Sequence, residues 1–425
     1  MREKMEFDIV IIGAGPAGLS AAIRLAQLNS ALTICVIDKG EQIGSHIISG
    51  AVLEPRALNE LIPDWQNRRA PLNTPVTHDQ FLFLTEKKSW RMPVPPQMRN
   101  HGNYIISLSQ FCRWLAEQAE QLGVNIFPGF AATEIIFEND RICGVITGDK
   151  GVDKNGQHTN RYQSGMELRA EHTIFAEGCR GSLTKELIEK FDLRKNCDPQ
   201  TYGLGIKEVW EIPEELHQAG MVMHTVGWPF DSKTYGGSFV YQFENNLLAI
   251  GLIAGLDYQN PWLNPYEEFQ RFKTHPAISF LLQNGKRIAY GARAINEGGV
   301  QSIPQLTVPG GFLIGCAAGF VNVPKIKGIH NAMKSGMLAA ESIIASEDYQ
   351  QKIRRSWIHD ELYRVRNIRP ALNWGLWPGL LYAAFDTYVL RGNAPWTFHH
   401  DADFKQLKMT GQCEKIIYPK HDNQL

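Results

Sequence analysis

The hydrophobic pattern changes period along the chain, and each change marks an element. The run "FDIVII", Phe7 to Ile12, is apolar apart from Asp8, as a central parallel strand buried on both faces should be. Ala21, Ala22, Leu25 and Leu28 then recur at the spacing of one helix face, and "LTICVI" is a second strand ending at Asp38. Near the other end, Phe312–Ile314 predicts a strand, followed by a small-residue turn and a long helix from about Gly328. Between them "GGSFVYQFENNLLAIGLIAGL" alternates like an antiparallel sheet, which can cover a flat cavity. The pattern ends on "ALNWGLWPGLLYAAFDTYVL", Ala371 to Leu390, with Asp386 its single charge.

Three arrangements fit that last stretch. It is just long enough to span a bilayer, at ~20 residues, but Gly375, Pro378 and Gly379 break it, and Asn373 and Asp386 are costly in lipid. A buried core segment explains the apolarity. It does not explain Trp374, Trp377, Tyr382, Phe385 and Tyr388 between Arg364, Arg366, Arg369 and Arg391, which resemble an interfacial belt. Insertion into one face of a membrane agrees with every feature. If each aromatic buries a third of roughly 200 Å², the gain is on the order of 8 kcal/mol at ~25 cal/mol/Å². A second amphipathic candidate starts at Pro55, with Ala57, Leu58, Leu61 and Ile62 on one face and Trp65 beyond.

Composition narrows the class. A chain of 425 residues can bury a large core and hold two or more domains. Its net charge of −1 and 20% charged residues disfavour nucleic acid as a partner. A mean hydropathy of −0.25 excludes a polytopic membrane protein. The opening "MREKMEFDIV" shows neither an apolar signal region nor a transit segment, so a cytosolic or cytosol-facing protein, or a processed form, is expected. The seven cysteines (35, 112, 143, 179, 197, 316 and 413) include no C-x-x-C pair, which disfavours a disulfide framework or a zinc or iron–sulfur site.

The chemistry begins at Gly13, Gly15 and Gly18, a G-x-G-x-x-G between strand and helix. Gly13 permits the tight turn, Gly15 lets the backbone approach a pyrophosphate, and Gly18 lets helix pack on strand. The phosphates would sit on the N–H groups at the helix start, and Asp38 stands where an acid binds a ribose hydroxyl. Two further motifs select FAD over NAD. "HTIFAEGCRGSLTKEL" resembles the strand-then-A-x-G element of the glutathione-reductase-like FAD proteins, with Ala176, Glu177, Gly178 and Arg180 near the cofactor. "VPGGFLIGCAAGFVNVPKIKGIHNAMKSGMLAAESII" is similar to their late flavin motif, in which a strand end holds the ribityl chain and a helix N-terminus faces the ring. The usual acid there is replaced by Cys316, a departure expected to weaken the ribityl hydrogen bond otherwise assigned to that position. Together the motifs nominate Gly13, Gly15, Pro16, Ala17, Gly18, Asp38, Lys39, Ser49, Gly50, Ala176, Glu177, Gly178, Arg180, Gly315, Cys316, Gly319, Pro324, Gly328 and Ile329 as cofactor-binding. Cys179 and Cys316 read as small buried residues, and His46, His101, His224 and His330 as structural groups.

Longer stretches resemble one family, the electron-transfer flavoprotein–ubiquinone oxidoreductases: "GAGPAGLSAA", "APLNTPVT", "NHGNYI", "HTVGWPFDSKTYGGSF", "GLDYQNP", "GKRIAYGARAINEGG", "NVPKIKG" and "ELYRVRNIRPALNWG". The resemblance runs from near residue 8 to the C-terminus. It implies FAD, a [4Fe–4S] cluster, electrons taken from electron-transfer flavoprotein and passed to membrane ubiquinone, and a monotopic seat on one membrane face. It further implies that Gly236 and Gly237 hold the quinone headgroup through backbone groups; on residues alone, Tyr235–Ser238 reads rather as a hairpin turn. The family's cluster needs four cysteines in a C-terminal ferredoxin-like domain, and Cys413 stands alone, so no metal ligands are expected in this chain and a separate ferredoxin-like protein is a possible partner. A related flavoprotein subunit associated with nitrogen fixation has such a separate ferredoxin.

The fold class expected is α/β, a Rossmann-type FAD domain with an α+β quinone-binding domain carrying an antiparallel sheet. The FAD domain would comprise 1–75, 105–205 and 290–345, and the quinone domain 76–104, 206–289 and 346–400, with 401–425 a connector to an iron–sulfur domain. The implied location is the cytoplasmic face of a bacterial inner membrane, or the mitochondrial inner membrane in eukaryotic relatives. Alternatives are a geranylgeranyl-reductase-like enzyme acting on a lipid or prenyl substrate, and a non-catalytic membrane flavoprotein subunit.

Overall fold

A computed structural model describes residues 2–48 and 50–420. Lys4–Ile12 is the centre of an eight-stranded sheet among the described residues. It runs parallel to Glu167–Phe175 on one side and to Ile34–Asp38 on the other. Asn125–Pro128 and Gly311–Leu313 extend the parallel order outward. Ile9, Val10 and Ile11 are at most 1% exposed, which is why this strand reads as an apolar run without alternation.

Parallel neighbours need a crossover, and Pro16–Leu28 supplies the first. Pro16 occupies the helix start, where its fixed φ suits the helix and no N–H is wasted. The small face of this helix receives Ile329–Ala345. Gly336 sets their approach, since a Cβ there would stand 2.3 Å from the Ala17 carbonyl oxygen.

A second, seven-stranded sheet runs Lys286–Asn296, Tyr202–Glu211, Leu247–Gly255, Gly236–Phe243, Met221–Gly227, His78–Leu84, Ser89–Met92. All its pairs are antiparallel except Met221–Gly227 with His78–Leu84. Pro265–Thr274 and Pro276–Leu282 cover one face, burying Phe269, Phe272 and Ile278 against Trp210, Ile250 and Leu252. Phe239, Tyr241 and Phe243 on the other face meet Val52, Val76 and Ile105. The α/β class with an antiparallel second sheet is the one the pattern predicts.

Three local features differ from the sequence reading. The second amphipathic candidate is core, with Leu58, Leu61 and Ile62 at most 3% and Trp65 7% exposed, because its apolar face packs under the first sheet's helices. Residues just past 345 pack with the first sheet: the chain turns at left-handed Ser346 and folds Tyr349, Ile353, Ile358 and Leu362 back into that core. The strand Lys286–Asn296 keeps residues 290–296 in the second sheet, where its ladder with Tyr202–Glu211 is unbroken past 290. Ala371–Leu390 breaks at Gly375, as its sequence predicts: Gly375 takes φ +106°, and beyond it Leu376–Phe385 is an α-helix continued by the π-helical turn Asp386–Leu390. Among the described residues, no helix is long and apolar enough to cross a membrane.

Candidate functional site

Three segments far apart in sequence meet at the start of Pro16–Leu28. Gly13 sits at φ +107°, and a Cβ there would be 2.5 Å from the Ala176 oxygen. The Ala176 N–H donates to Ile12 at 2.9 Å, so the A-x-G element abuts the glycine turn directly. From the third segment, Gly315 comes so close that a Cβ would lie 2.7 Å from the Ala17 Cβ. Gly18 packs against the Gly13 oxygen, where a Cβ would stand at 2.0 Å. By contrast, a Cβ added at Gly15 or Gly178 meets no protein atom within 4 Å. Both backbones border open space, the cradle a dinucleotide needs beside helix N–H groups.

The nominated side chains divide between this cradle and its support. Asp38 accepts the Ala14 N–H at 2.9 Å and the Gly40 N–H at 2.7 Å, clipping the turn to the second strand; each oxygen keeps a further acceptor position. Glu177 caps the Ser182–Lys190 helix, accepting the Thr184 N–H at 2.6 Å and its hydroxyl at 2.7 Å. Arg180 is exposed and lies over the Tyr202 ring, and Lys39 is exposed. Gly50 stands against the second sheet, its oxygen accepting the Lys207 amine at 2.5 Å. Ser49 lies outside the described residues. Gly328 precedes the first turn of Ile329–Ala345, and Pro324 lines a cavity with Glu297, Arg369 and His400. Burial pushes the Cys316 thiol up to about 11. Burial, with the neighbouring Cys316 thiol, pushes Cys179 up to about 12, so both stay protonated at neutral pH.

Gly236 and Gly237 open a strand opposite Ala254 and Ile253, so Tyr235–Ser238 is not a hairpin turn. Side chains are excluded at both: a Cβ would lie 2.4 Å from the Phe230 ring at Gly236 and 2.7 Å from the Thr225 oxygen at Gly237. The Gly255 N–H donates to Tyr235 at 3.0 Å. Hydrogen-bonded pairs alternate along an antiparallel ladder, so the N–H and C=O of Gly236 turn to the opposite edge. On that edge, the pairing with Met221–Gly227 reaches only Thr225 with Ser238. The Gly236 groups therefore face past the ladder's last rung.

The apolar stretch docks beside this strand end. The Leu376 N–H donates to Ser232 at 2.7 Å, and Trp377 packs on Phe83 with centroids 5.0 Å apart. Trp90, Trp374 and Trp377 are 48–53% exposed, Leu381 73% and Val389 64%, which is not the burial of a core segment. Of the flanking arginines only Arg364 and Arg391 are exposed. Arg366 is buried among the carbonyl oxygens of Tyr363, Gly392, Ala394 and Trp396.

Arg369 is buried too, and it belongs to a network that its place in a basic flank conceals. It donates to Glu297 at 3.1 Å and Asp257 at 2.9 Å and lies 3.7 Å over the Tyr235 ring. Glu297 stands inside "GARAINEGG", but only the fold brings it to Arg369. A second cluster joins Glu54, His330 and Glu361, the described residues' one grouping of three or more metal-ligand types. The Lys325 amine fills the space between its carboxylates, 2.8 Å from Glu361 and in contact with Glu54. Among the described residues, no grouping of cysteine thiolates of the kind that holds an iron–sulfur cluster is found.

Comparison with known proteins agrees with this geometry. Residues 202–295 match the family "ETF-QO, ubiquinone-binding", and residues 7–185 match "Pyridine nucleotide-disulphide oxidoreductase". The chain is 52% identical over 453 residues to the mitochondrial electron transfer flavoprotein-ubiquinone oxidoreductase of Dictyostelium discoideum, covering 100% of this chain and 75% of that protein. It is 53% identical to the Homo sapiens protein of that name, covering 99% and 72%. Among solved structures, a geranylgeranyl bacteriochlorophyll reductase-like protein from Thermoplasma acidophilum superposes with a TM-score of 0.67 at 19% identity, covering 91% of this chain and 97% of that one. The flavin-dependent brominase Bmp2 follows at 0.63 and 16%, covering 92% of each chain. At those identities the likeness is one of fold. The sequence relationship spans the whole chain, which belongs to the electron transfer flavoprotein–ubiquinone oxidoreductase family.

Proposed function

We infer that this chain is an FAD-dependent oxidoreductase that passes electrons from reduced electron-transfer flavoprotein to ubiquinone. One observation carries the quinone end. The polar groups of Gly236 face past the end of their ladder, and the exposed aromatic helix is pinned four residues upstream, at Ser232. A headgroup can therefore find a donor and an acceptor on the main chain while its tail stays in apolar surroundings.

FAD, bound with its pyrophosphate over Gly13–Gly18, supplies one- and two-electron chemistry between donor and quinone. The protein's share is placement. Gly15, Gly178 and the start of Ile329–Ala345 border the cofactor's space, Asp38 and Glu177 hold the loops that shape it, and Gly236 and Gly237 orient the headgroup. The first sheet and its helices form the cofactor unit, and the second sheet with residues 365–400 forms the quinone unit.

The chain would lie on a membrane through Trp374, Trp377, Leu381, Phe385 and Val389. Exposed Arg364 and Arg391 favour an anionic leaflet such as the cytoplasmic face of a bacterial inner membrane. The test is anaerobic reoxidation of the prereduced, FAD-loaded protein by a short-chain ubiquinone, expected to be fast and saturable. Reoxidation no faster than that of free flavin would refute the reading.

A further inference from the structure

Reducing a quinone consumes two protons, and the glycine pair has no side chain to provide one. A dense set of titratable groups, the network on Arg369, lies against Tyr235, the residue before Gly236. Its floor is two bare glycines paired across neighbouring strands, Gly203 and Gly255. A Cβ at Gly203 would stand 2.3 Å from a Glu297 oxygen. One at Gly255 would stand 2.6 Å from Asp257, 2.8 Å from the Tyr235 ring and 3.2 Å from Arg369. The space two side chains would fill is thus given to an arginine and two acids. They lie beside the residue that precedes Gly236, about 10 Å across two strand spacings.

The charges in this space do not balance. Arg369 and Glu297 are each 3% exposed and Asp257 8%. Glu297 also faces Asp403 and, across the lined cavity, His400; Cys179 is its neighbour from the first sheet. Three acids surround one guanidinium, and burial pushes His400 down to about 4, so it adds no charge at neutral pH. A water-poor site with more carboxylates than cations retains a proton. Burial, set against the Arg369 charge and reinforced by Asp257, pushes Glu297 up to about 7, so Glu297 is the acid that holds it. Arg369 makes the ionised form tolerable once the proton leaves.

We propose that Glu297 is the proton reservoir for quinone reduction at Gly236–Gly237, acting through the Tyr235 phenol stacked on Arg369. The inference rests on the quinone site proposed above. As the quinone takes two electrons from the flavoprotein donor, the phenol O–H breaks and a quinol O–H forms. The Glu297 carboxyl proton restores the phenol. Glu297, left as carboxylate against Arg369, is recharged from solvent, which also delivers the second proton.

The experiment compares wild type with Glu297→Gln and Glu297→Asp, using a short-chain ubiquinone and ferricenium as alternative acceptors from pH 5.5 to 9. Ferricenium takes electrons without protons. Glu297→Gln should lower quinone turnover at least tenfold and flatten its pH dependence, while ferricenium reduction stays within twofold. Glu297→Asp should restore turnover and a pH midpoint, and it carries the test if Glu297→Gln does not fold. Equal loss with both acceptors would make the network a structural clamp and overturn the proposal, as would unchanged quinone turnover with an unchanged pH profile. Wild type that reduces ferricenium but no quinone would refute the quinone site itself, a different failure.

Discussion

Trp377 sets its indole against Phe83 with ring centroids 5.0 Å apart, joining the C-terminal aromatic helix to the edge hairpin of the second sheet. Trp90 also stacks on Phe83, at 5.9 Å. Two segments almost three hundred residues apart thereby present one apolar surface. Patches of this kind on an otherwise polar protein mark a lipid or protein contact.

Replacing Trp374, Trp377 and Phe385 with Ser should abolish flotation with liposomes while leaving FAD and the fold intact, since these side chains are 44–53% exposed. Wild-type flotation should persist at high salt, because apolar insertion is not screened as attraction through Arg364 and Arg391 is. Reduction of a water-soluble quinone should survive in the variant, and that of a long-tailed quinone in vesicles should fall sharply. Continued flotation would place the anchor elsewhere.

Gly15 and Gly336 both sit on the crossover helix and its neighbour, yet they should fail differently. Gly15→Val projects into open space and should reduce FAD occupancy at least tenfold with the apo protein's thermal stability nearly unchanged. Gly336→Val collides with the Ala17 carbonyl and should destabilise by about 1–3 kcal/mol. Flavin absorbance and thermal unfolding separate the two, and a Gly15→Val protein that stays fully yellow would misplace the pyrophosphate.

Arg366→Met strands carbonyl oxygens of Tyr363, Gly392, Ala394 and Trp396 and should cost about 3 kcal/mol in denaturant unfolding. Arg364→Met, at an exposed position, should cost less than ~0.5 kcal/mol. Equal effects would contradict the division of this basic cluster into buried clip and surface charge.

Burial alone would raise Glu361, but the hydrogen bond and charge of His330 and the Lys325 amine hold its carboxyl at about 2, below the usual 4.5. A depressed carboxyl contributes stability above the unfolded pKa and loses it as pH falls through the folded one. The stability gap between wild type and Glu361→Gln should therefore shrink by on the order of 3 kcal/mol between about pH 4.5 and about pH 2. Unfolding midpoints measured across that window check it, and a constant gap would mean the cluster does not hold Glu361 ionised.

The glycine turn, the strand–helix–strand start and the α/β class were legible because each rests on local chemistry. Gly13 needs a positive φ, Gly18 a missing Cβ, and a buried parallel strand an apolar run. Gly236 and Gly237 were singled out through resemblance alone, and their place in the sheet was not legible at all. Whether Tyr235–Ser238 turns or pairs depends on strands around residues 221 and 254, which no local pattern encodes. The arginines show the limit most clearly. Arg364, Arg366 and Arg369 look alike as a basic flank, but on short helical turns they point different ways: one to solvent, one to carbonyl oxygens, one to Glu297 and Asp257. Burial and pairing are properties of the surroundings, and here those are assembled from residues 26 to 30 positions away in one case and 72 or 112 in the other. Local sequence sets which conformations a segment can adopt, whereas long-range contact decides which charges leave water.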